Sequence, residues 1–385
     1  MELHLGGLLD VDYRNYLEDA RADNRFDVRR ARIIFNGQLT QWFRFFSQFE
    51  FQDNVTDNLL DAYAEAVMGR HALRFGQFKE PFSLQWQTAD KAIFFTERAM
   101  CQSLAPNRSV GLMLHGSFGP DIFQYSGGVF NADGDDGTAR GNQSDEPEGV
   151  ARFVVAPFKP TSISWLRNLQ FGTSFSYADI ELANLEFKVK SAGMNGTPYS
   201  IYALSHDTKF GVLQDVGTRQ RFGLEAAWAW KSIALQGELI KLKFTDLEPA
   251  GRAPADADFS SWYASAAVCL TGEHLVLSNG VMNPVYPQRN FNPTEKTWGA
   301  FLLAARVEHF DGDPDWITDS AYVSVREADA YSLALNWILY PMVRLIGDYT
   351  LTELSDPIRT RVNPDGSVDY IERETLITVR FSIDF

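Results

Sequence analysis

The chain of 385 residues carries 35 Lys and Arg against 50 Asp and Glu, which gives a formal net charge of −15. Its content of 45% hydrophobic and 14% aromatic residues is too high for a disordered protein, which cannot bury apolar side chains. Two cysteines cannot staple a scaffold of this size, and the acidic balance disfavours binding to nucleic acid. Apolar runs such as Ala264–Leu270 fall well short of the roughly 20 residues of a membrane-spanning helix.

The recurring hydrophobic period is two residues, as in β-strands whose two faces meet different surroundings. At the end of the chain, Ile377, Val379, Phe381, Ile383 and Phe385 alternate with polar residues. Many such runs exceed the roughly 5–6 residues usual in soluble strands and approach the roughly 9–11 of a tilted strand crossing a bilayer. A large soluble all-β protein, the alternative, does not explain this strand length.

The pattern predicts sixteen strands, an even number as in bacterial outer-membrane barrels. They cover residues 2–13, 26–38, 42–52, 58–68, 72–79, 109–117, 121–130, 149–158, 168–178, 219–230, 233–245, 259–270, 297–309, 328–340, 342–353 and 371–385. We therefore expect an all-β fold, a 16-stranded antiparallel transmembrane β-barrel that forms one domain over residues 1–385.

The predicted connections alternate between short turns and long polar loops, as expected of periplasmic and outer ends. The long loops are 80–108, 131–148, 179–218, 246–258, 311–327 and 354–370. Residues 271–296 break the rule, because they are long but lie on the short-turn side. The chain opens on a strand, with neither a basic start nor an apolar leader region, so we expect that a cleaved leader exported it to the bacterial outer membrane.

Alternation also predicts which charges face the lumen. It places more arginines than acids there, namely Arg30, Arg32, Arg44, Arg74, Arg152, Arg219, Arg221, Arg306, Arg344 and Arg380. Guanidinium groups stay charged and bind oxyanions in a two-pronged geometry, so this wall suits anions. A weakly selective wall, in which each arginine is paired with an acid, is the alternative.

Several motifs together resemble the phosphate-selective porin O and P family. They are the run Val28–Arg32, the stretch Arg74–Leu84 followed by Thr96–Arg98, and Leu270–Glu273 with the long segment after it. The resemblance extends from the first strand to Phe385. It implies a homotrimer of sixteen-stranded barrels, each narrowed by an inward-folded third loop, here residues 80–108, with arginines that guide anions to the narrow point.

The resemblance carries over to this sequence only in part. Arg29 and Arg30 match the paired arginines, but Leu8 stands where selective members have arginine. Ala89–Asp90 replaces a serine pair, with Lys91 after it, and the arginine-rich stretch of the fifth outer loop is reduced to Lys188 and Lys190. A lost charge-assisted hydrogen bond weakens binding by roughly 1.5–3 kcal/mol, so we expect only a modest anion preference.

The sequence thus predicts a porin for passive diffusion of small hydrophilic solutes, favouring inorganic anions such as phosphate. Arg29, Arg30, Arg32, Arg74, Lys91, Arg98, Lys188 and Lys190 are the predicted pore cations, and Glu80, Asp90 and Glu97 the predicted constriction acids. The alternative is a general or sugar-conducting pore with weak or no anion selectivity. The expected scarcity of pore-facing aromatics argues against the sugar-conducting form. A structural or adhesion role would require a plugged barrel.

Other features are weaker. Asp133, Asp135 and Asp136 resemble a calcium loop but lack the downstream Glu, so we expect a solvated loop, with bridging of divalent ions to lipopolysaccharide as an alternative. The terminal Phe385 is typical of the signal read by barrel-assembly machinery. No catalytic or metal-binding spacing occurs, so we expect neither an enzyme nor a cofactor, and no nucleic-acid partner.

Overall fold

The computed structural model describes residues 2–17, 22–52, 59–119, 121–132, 147–180, 186–194, 200–205, 207–208, 211–317, 324–362 and 365–385. The acidic loop residues Asp133, Asp135 and Asp136 lie outside the described residues. None of the described helices is long and apolar enough to cross a membrane.

Sixteen long antiparallel strands form the sheet, and each predicted strand has its counterpart. Their bounds are β1 Glu2–Leu17, β2 Arg25–Thr40, β3 Phe43–Glu50, β4 Leu59–Met68, β5 His71–Lys79, β6 Arg108–Phe118, β7 Phe123–Asn131, β8 Pro147–Val155, β9 Gln170–Asp179, β10 Thr218–Trp230, β11 Ile233–Pro249, β12 Ala255–Cys269, β13 Ala300–Asp311, β14 Glu327–Tyr340, β15 Val343–Val362 and β16 Val368–Asp384.

Each strand pairs with its neighbours in the chain, and β1 pairs with both β2 and β16. In that last ladder Leu8 lies opposite Asp384 and Leu17 opposite Thr375. The sheet is therefore a closed barrel without a free edge, as a protein in lipid requires, because no water satisfies unpaired backbone groups there. The predicted 16-stranded barrel is confirmed.

The two faces of the strands differ as the alternation predicts. Along β1, Leu5 and Leu9 are exposed on the outer face, whereas Asp10, Asp12 and Arg14 are buried on the inner face. Outward leucine and aromatic side chains cover the barrel with an apolar belt suited to lipid. The inner face collects the charges, so the sheet itself positions the functional groups.

Two connections pack against inward-facing side chains of the strands. Residues 80–107 contain short helical turns at Leu84–Gln87, Asp90–Ala92 and Met100–Leu104. Residues 270–299 contain a small hairpin of Leu277–Ser278 and Val281–Met282. Leu84, Phe94 and Phe95 from the first connection share one apolar cluster with Leu275, Leu277 and Met282 from the second.

Small inward side chains on the far wall make room for this cluster. They are Ala227, Ala229, Ala234, Ala267, Ala304 and Ala334, on strands β10 to β14. A second apolar cluster lies nearer the outer end, where Phe187 and Tyr202 from the hairpin Glu186–Val189 and Tyr202–Ser205 pack on Phe259. The half of the lumen beside β10 to β15 is thus packed with side chains.

Candidate functional site

Residues 80–107 are held by carboxylates that project from three different strands of the far wall. Glu238 on β11 accepts hydrogen bonds from the backbone N–H groups of Leu84 at 3.0 Å and Gln85 at 2.7 Å. Glu308 on β13 accepts from the N–H of Met100 at 2.6 Å. Because each acid accepts hydrogen bonds from backbone N–H groups that would otherwise be buried without a partner, these acids fix the path of the segment.

Asp348 on β15 supplies the third anchor. Its Oδ2 accepts from both the N–H and the hydroxyl of Thr96, each at 2.9 Å. Thr96 stands next to Glu97, so this contact places the Glu97 carboxylate opposite the strands β1, β2 and β16.

Four arginines surround Glu97. Its carboxylate lies 2.7 Å from Arg29 Nε, 2.9 Å from Arg380 Nη2, 3.3 Å from Arg14 Nη2 and 3.7 Å from Arg30 Nη2. Burial alone raises the pKa of Glu97, but these guanidinium groups outweigh it and hold the pKa below its usual range. Glu97 is therefore a buried, ionised clamp rather than a free pore acid.

A bulge in β2 lets both paired arginines face inward. Asp10 pairs with Arg30 and the next residue of β1, Val11, pairs with Val28, so Arg29 is an extra residue in the ladder. A strict period of two would send Arg29 into lipid. The bulge instead re-aims its side chain towards Glu97, which is a common use of bulges.

Asp90 is the second acid of the segment held by strand arginines. It accepts from Arg32 Nη1 at 2.5 Å and from Arg98 Nη1 at 2.5 Å, and Arg30 Nη2 lies 3.7 Å away. Burial raises the pKa of Asp90, but Arg98, Arg30 and Arg32 together hold it well below its usual range. The structure thus brings together four predicted cations, Arg29, Arg30, Arg32 and Arg98, with the acids Asp90 and Glu97.

The remaining predicted residues lie elsewhere. Arg74 on β5 pairs with Glu65 at 2.7 Å, and Lys91 lies 3.7 Å from Asp384 with 45% of its side chain exposed. Glu80 is buried where the segment begins. Lys188 and Lys190 lie at the outer hairpin, where the N–H of Lys190 donates to Ser103 Oγ at 3.3 Å.

Two neighbouring cavities line the opposite half of the lumen and share Arg74. One of about 480 Å³ borders Arg32, Asp90 and Lys91, and the other of about 440 Å³ borders His71 and His115. Of the described residues that line them, the basic ones are Arg32, Arg44, Arg70, Arg74, Lys79, Lys91, Arg108 and Arg152. The acidic ones are Asp61, Glu65, Asp90 and Asp384.

Lys79 and Arg108 were missed by the sequence reasoning. They are the last residue of β5 and the first of β6, and they pair across that ladder. Both approach the ring of Trp86, with Lys79 Nζ 4.5 Å and Arg108 Cζ 5.2 Å from its centroid. Their positions in the sequence could have identified them, because Lys79 and Arg108 are the strand ends on either side of the predicted loop.

Two aromatic side chains that the alternation did not assign to the lumen line one of the cavities. Phe46 and Tyr63 face inward from β3 and β4, and both line the larger cavity. The alternation hides Phe46 because Phe45 comes directly before it, so two consecutive residues of β3 carry aromatic rings on opposite faces.

The model of the family described as phosphate-selective porin O and P matches residues 3–385. The chain belongs to this family. Its fold and localisation are accordingly those of an outer-membrane porin, and the family and fold point to a channel. No curated protein matches the sequence.

Solved porins share the fold at low sequence identity. The anion-selective porin from Comamonas acidovorans is 11% identical with a TM-score of 0.58, covering 100% of this chain and 99% of that one. The channel DcaP of Acinetobacter baumannii is 10% identical with a TM-score of 0.60, covering 100% and 97%. OmpT of Vibrio cholerae, in a trimer form, is 7% identical with a TM-score of 0.57, covering 100% and 99%.

The porin departs from its family's pattern at the cavity. Leu8, where selective members have arginine, lies opposite Arg32 in the ladder and lines the larger cavity together with Ala89 and Asp90. An apolar group and a carboxylate therefore line this cavity. Among the described residues no group of His, Cys, Asp and Glu could hold a metal ion.

Phe385 continues the closing ladder of the porin. Its N–H donates to the carbonyl of Gly7 at 3.1 Å, and its carbonyl accepts from the N–H of Gly7 at 2.9 Å. The ring is 64% exposed and lies over Gly7, where an added Cβ would approach it to 2.6 Å. The paired glycines of β1 thus give space to the last residue of the chain.

Proposed function

We propose that this porin conducts small hydrophilic solutes passively, with a modest preference for inorganic anions such as phosphate. The excess of basic over acidic side chains along the two lumenal cavities carries the proposal. Charged rings select ions by replacing part of the hydration shell, while weak and multiple contacts let the ion leave again. The anion-selective relative of the same fold supports the same reading.

The strength of the preference follows from the ion pairs. Arg29 forms an ion pair with Glu97 and Arg30 with Asp10, while Arg32 pairs with both Glu50 and Asp90. These acids neutralise much of the positive charge of the three arginines. Arg74, Lys91 and Arg108 line the cavities, each paired with one acid. We therefore assign the anion path to this second set, and to Arg29, Arg30 and Arg98 the task of holding the loop that narrows the pore.

The proposal also includes a homotrimer and the partners of the porin in the outer membrane. A trimer agrees with the trimer form of the Vibrio cholerae relative. Phe385, exposed at the end of β16, suits recognition by barrel-assembly machinery. Outer-membrane lipid and lipopolysaccharide would surround the apolar belt.

The zero-current reversal potential of the full chain in a planar bilayer under a KCl gradient tests the proposal. We expect the sign of an anion-selective pore, and a partial reduction of chloride current on addition of phosphate. A potential of the cation-selective sign would overturn the proposed preference. Complete block of the chloride current by a low phosphate concentration would contradict a modest preference, because it would indicate a tight oxyanion site.

A further inference from the structure

An apolar strip crosses the inner wall of the barrel, where polar side chains are the rule. Leu8 on β1, Ile34 on β2, Phe46 on β3 and Tyr63 on β4 all face inward, and all four line the cavity of about 480 Å³. Because inward positions of porins normally carry polar groups, four apolar ones on successive strands require an explanation.

The four side chains are neighbours in the sheet. Phe46 and Tyr63 lie directly opposite each other, with ring centroids 5.3 Å apart and planes inclined by 16°. Ile34 lies opposite Gly6 on β1, so Leu8, two residues further along β1, is a diagonal neighbour of Ile34. Ile34 also lies opposite Gln48 on β3, so Phe46 is its diagonal neighbour on that side. Diagonal neighbours remain within reach of side chains of this size, so the strip is continuous.

The connections that fill the other half of the lumen cover only one end of the strip. Tyr63 packs against the apolar cluster that includes Phe82 and Leu104 of residues 80–107, whereas the described clusters do not include Leu8, Ile34 or Phe46. Ile34, Phe46 and Tyr63 are each only partly buried in the described structure. Apolar surface is thus presented to the solute path.

Cations stand beside the strip. Arg74 Cζ lies 4.1 Å from the centroid of the Tyr63 ring, and Glu65 holds the same guanidinium at 2.7 Å. Lys91 and Arg108 line the same cavity from the loop and from β6. A solute on this path meets fixed positive charge and apolar surface within one cavity, whose size is that of a small-molecule site.

We infer that the preferred organic solutes of this pore are small monocarboxylates that carry a hydrophobic group, such as an aromatic or branched side chain. Arg74, Lys91 and Arg108 attract the carboxylate, while the hydrophobic group contacts Ile34, Phe46 and Tyr63. This inference rests on the proposed anion preference and extends it from inorganic to organic anions.

Bi-ionic reversal potentials of the full chain in a planar bilayer test it, with potassium benzoate, cyclohexanecarboxylate or acetate against potassium chloride. In a plain aqueous pore benzoate is less permeant than acetate, because it is larger. We expect both hydrophobic carboxylates to be at least as permeant as acetate. We also expect benzoate added to one side to reduce the chloride current more than acetate does.

Two variants test whether the apolar strip causes the permeability of benzoate. Phe46→Asn places an amide beside Asn36, which already occupies the opposing inward position, so the barrel should fold. We expect the benzoate-to-acetate permeability ratio to fall by about fivefold, the change expected from losing the burial of one ring edge. Gln48→Asn, on the same strand and lining the same cavity, is the matched control and should leave the ratio unchanged.

The outcomes separate the inference from the proposed function. An anion-selective potential in KCl together with benzoate less permeant than acetate would overturn the inference alone. An unchanged ratio in Phe46→Asn would do the same. A cation-selective potential in KCl would overturn the proposed function, and this inference with it.

Discussion

Glu97 Oε1 accepts a hydrogen bond from Arg380 Nη2 at 2.9 Å, which joins the middle of the loop at residues 80–107 to the last strand of the barrel. Arg380 also holds Asp12 on β1 through Nε at 2.6 Å. The closing strands and the loop are therefore connected through one guanidinium group. All three side chains are almost fully buried, where such bonds are least screened.

Glu97→Gln should loosen the loop without opening the barrel. Removing one partner from a buried ion pair costs about 3–5 kcal/mol, because the remaining charges stay buried without compensation. The strand ladders are untouched, so the barrel should still form. We expect a larger and noisier single-channel conductance than in the parent porin.

Glu50→Gln provides the matched control for this experiment. Glu50 is also a buried acid paired with an arginine, since its Oε2 lies 2.7 Å from Arg32 Nε, but it sits on β3 and does not anchor the loop. Equal noise in the two variants, or none in Glu97→Gln, would show that the Glu97 cluster does not hold the loop.

The pH at which acid releases Asp90 and Glu97 from their arginines should lie below the usual range of carboxyl groups. The lowered pKa values of Asp90 and Glu97 mean that the folded state favours their ionised forms. Their contribution to stability is thus fully present above the ordinary carboxyl pKa of about 4, and it is lost as the pH falls through the lower folded values. The part of the loop's anchorage that Asp90 and Glu97 supply should persist from neutral pH down to about 4 and be lost only below it.

Stepwise acidification of single channels in a bilayer checks this expectation. Asp90→Asn should move the change, because it removes one of the two titrating groups. A transition centred at pH 4 to 5, at the range of a free carboxyl group, would contradict the assigned role of the surrounding arginines.

The fold could be predicted because its signal is local. Alternation along a strand such as β16 is visible in the sequence itself, and a strand long enough to cross the membrane needs no partner to be recognised. The inward arginines Arg30, Arg32 and Arg380 follow from the same alternation. Their orientation was therefore predictable, whereas their charge balance was not.

The site required information that alternation does not contain. Glu97 meets Arg14 and Arg380 across separations of 83 and 283 residues, which no local period reports. The bulge at Arg29 appears only once β1 and β2 are in register. The inward position of Phe46 was hidden because its neighbours Phe45 and Phe43 are also aromatic and face lipid.

Arg74→Gln should weaken anion selectivity. Arg74 belongs to both lumenal cavities, so its charge acts along much of the open path. A unit charge at about 4 Å contributes about 1 kcal/mol in water, so we expect the anion-to-cation permeability ratio to fall by roughly fivefold. Lys231→Gln removes the same charge from the turn between β10 and β11 and should leave the KCl reversal potential unchanged.

Gly7→Ala should impair barrel assembly more than another glycine-to-alanine change in a strand. A Cβ at Gly7 would lie 2.6 Å from the Phe385 ring and 3.1 Å from the Arg32 carbonyl, so the terminal residue would have to move out of the closing ladder. Gly149→Ala on β8 is the control, since nothing lies within 4 Å of its added Cβ. The fraction of chains that reach the folded, heat-modifiable form on a gel measures the effect. Equal folded fractions would show that the closing ladder tolerates displacement of Phe385.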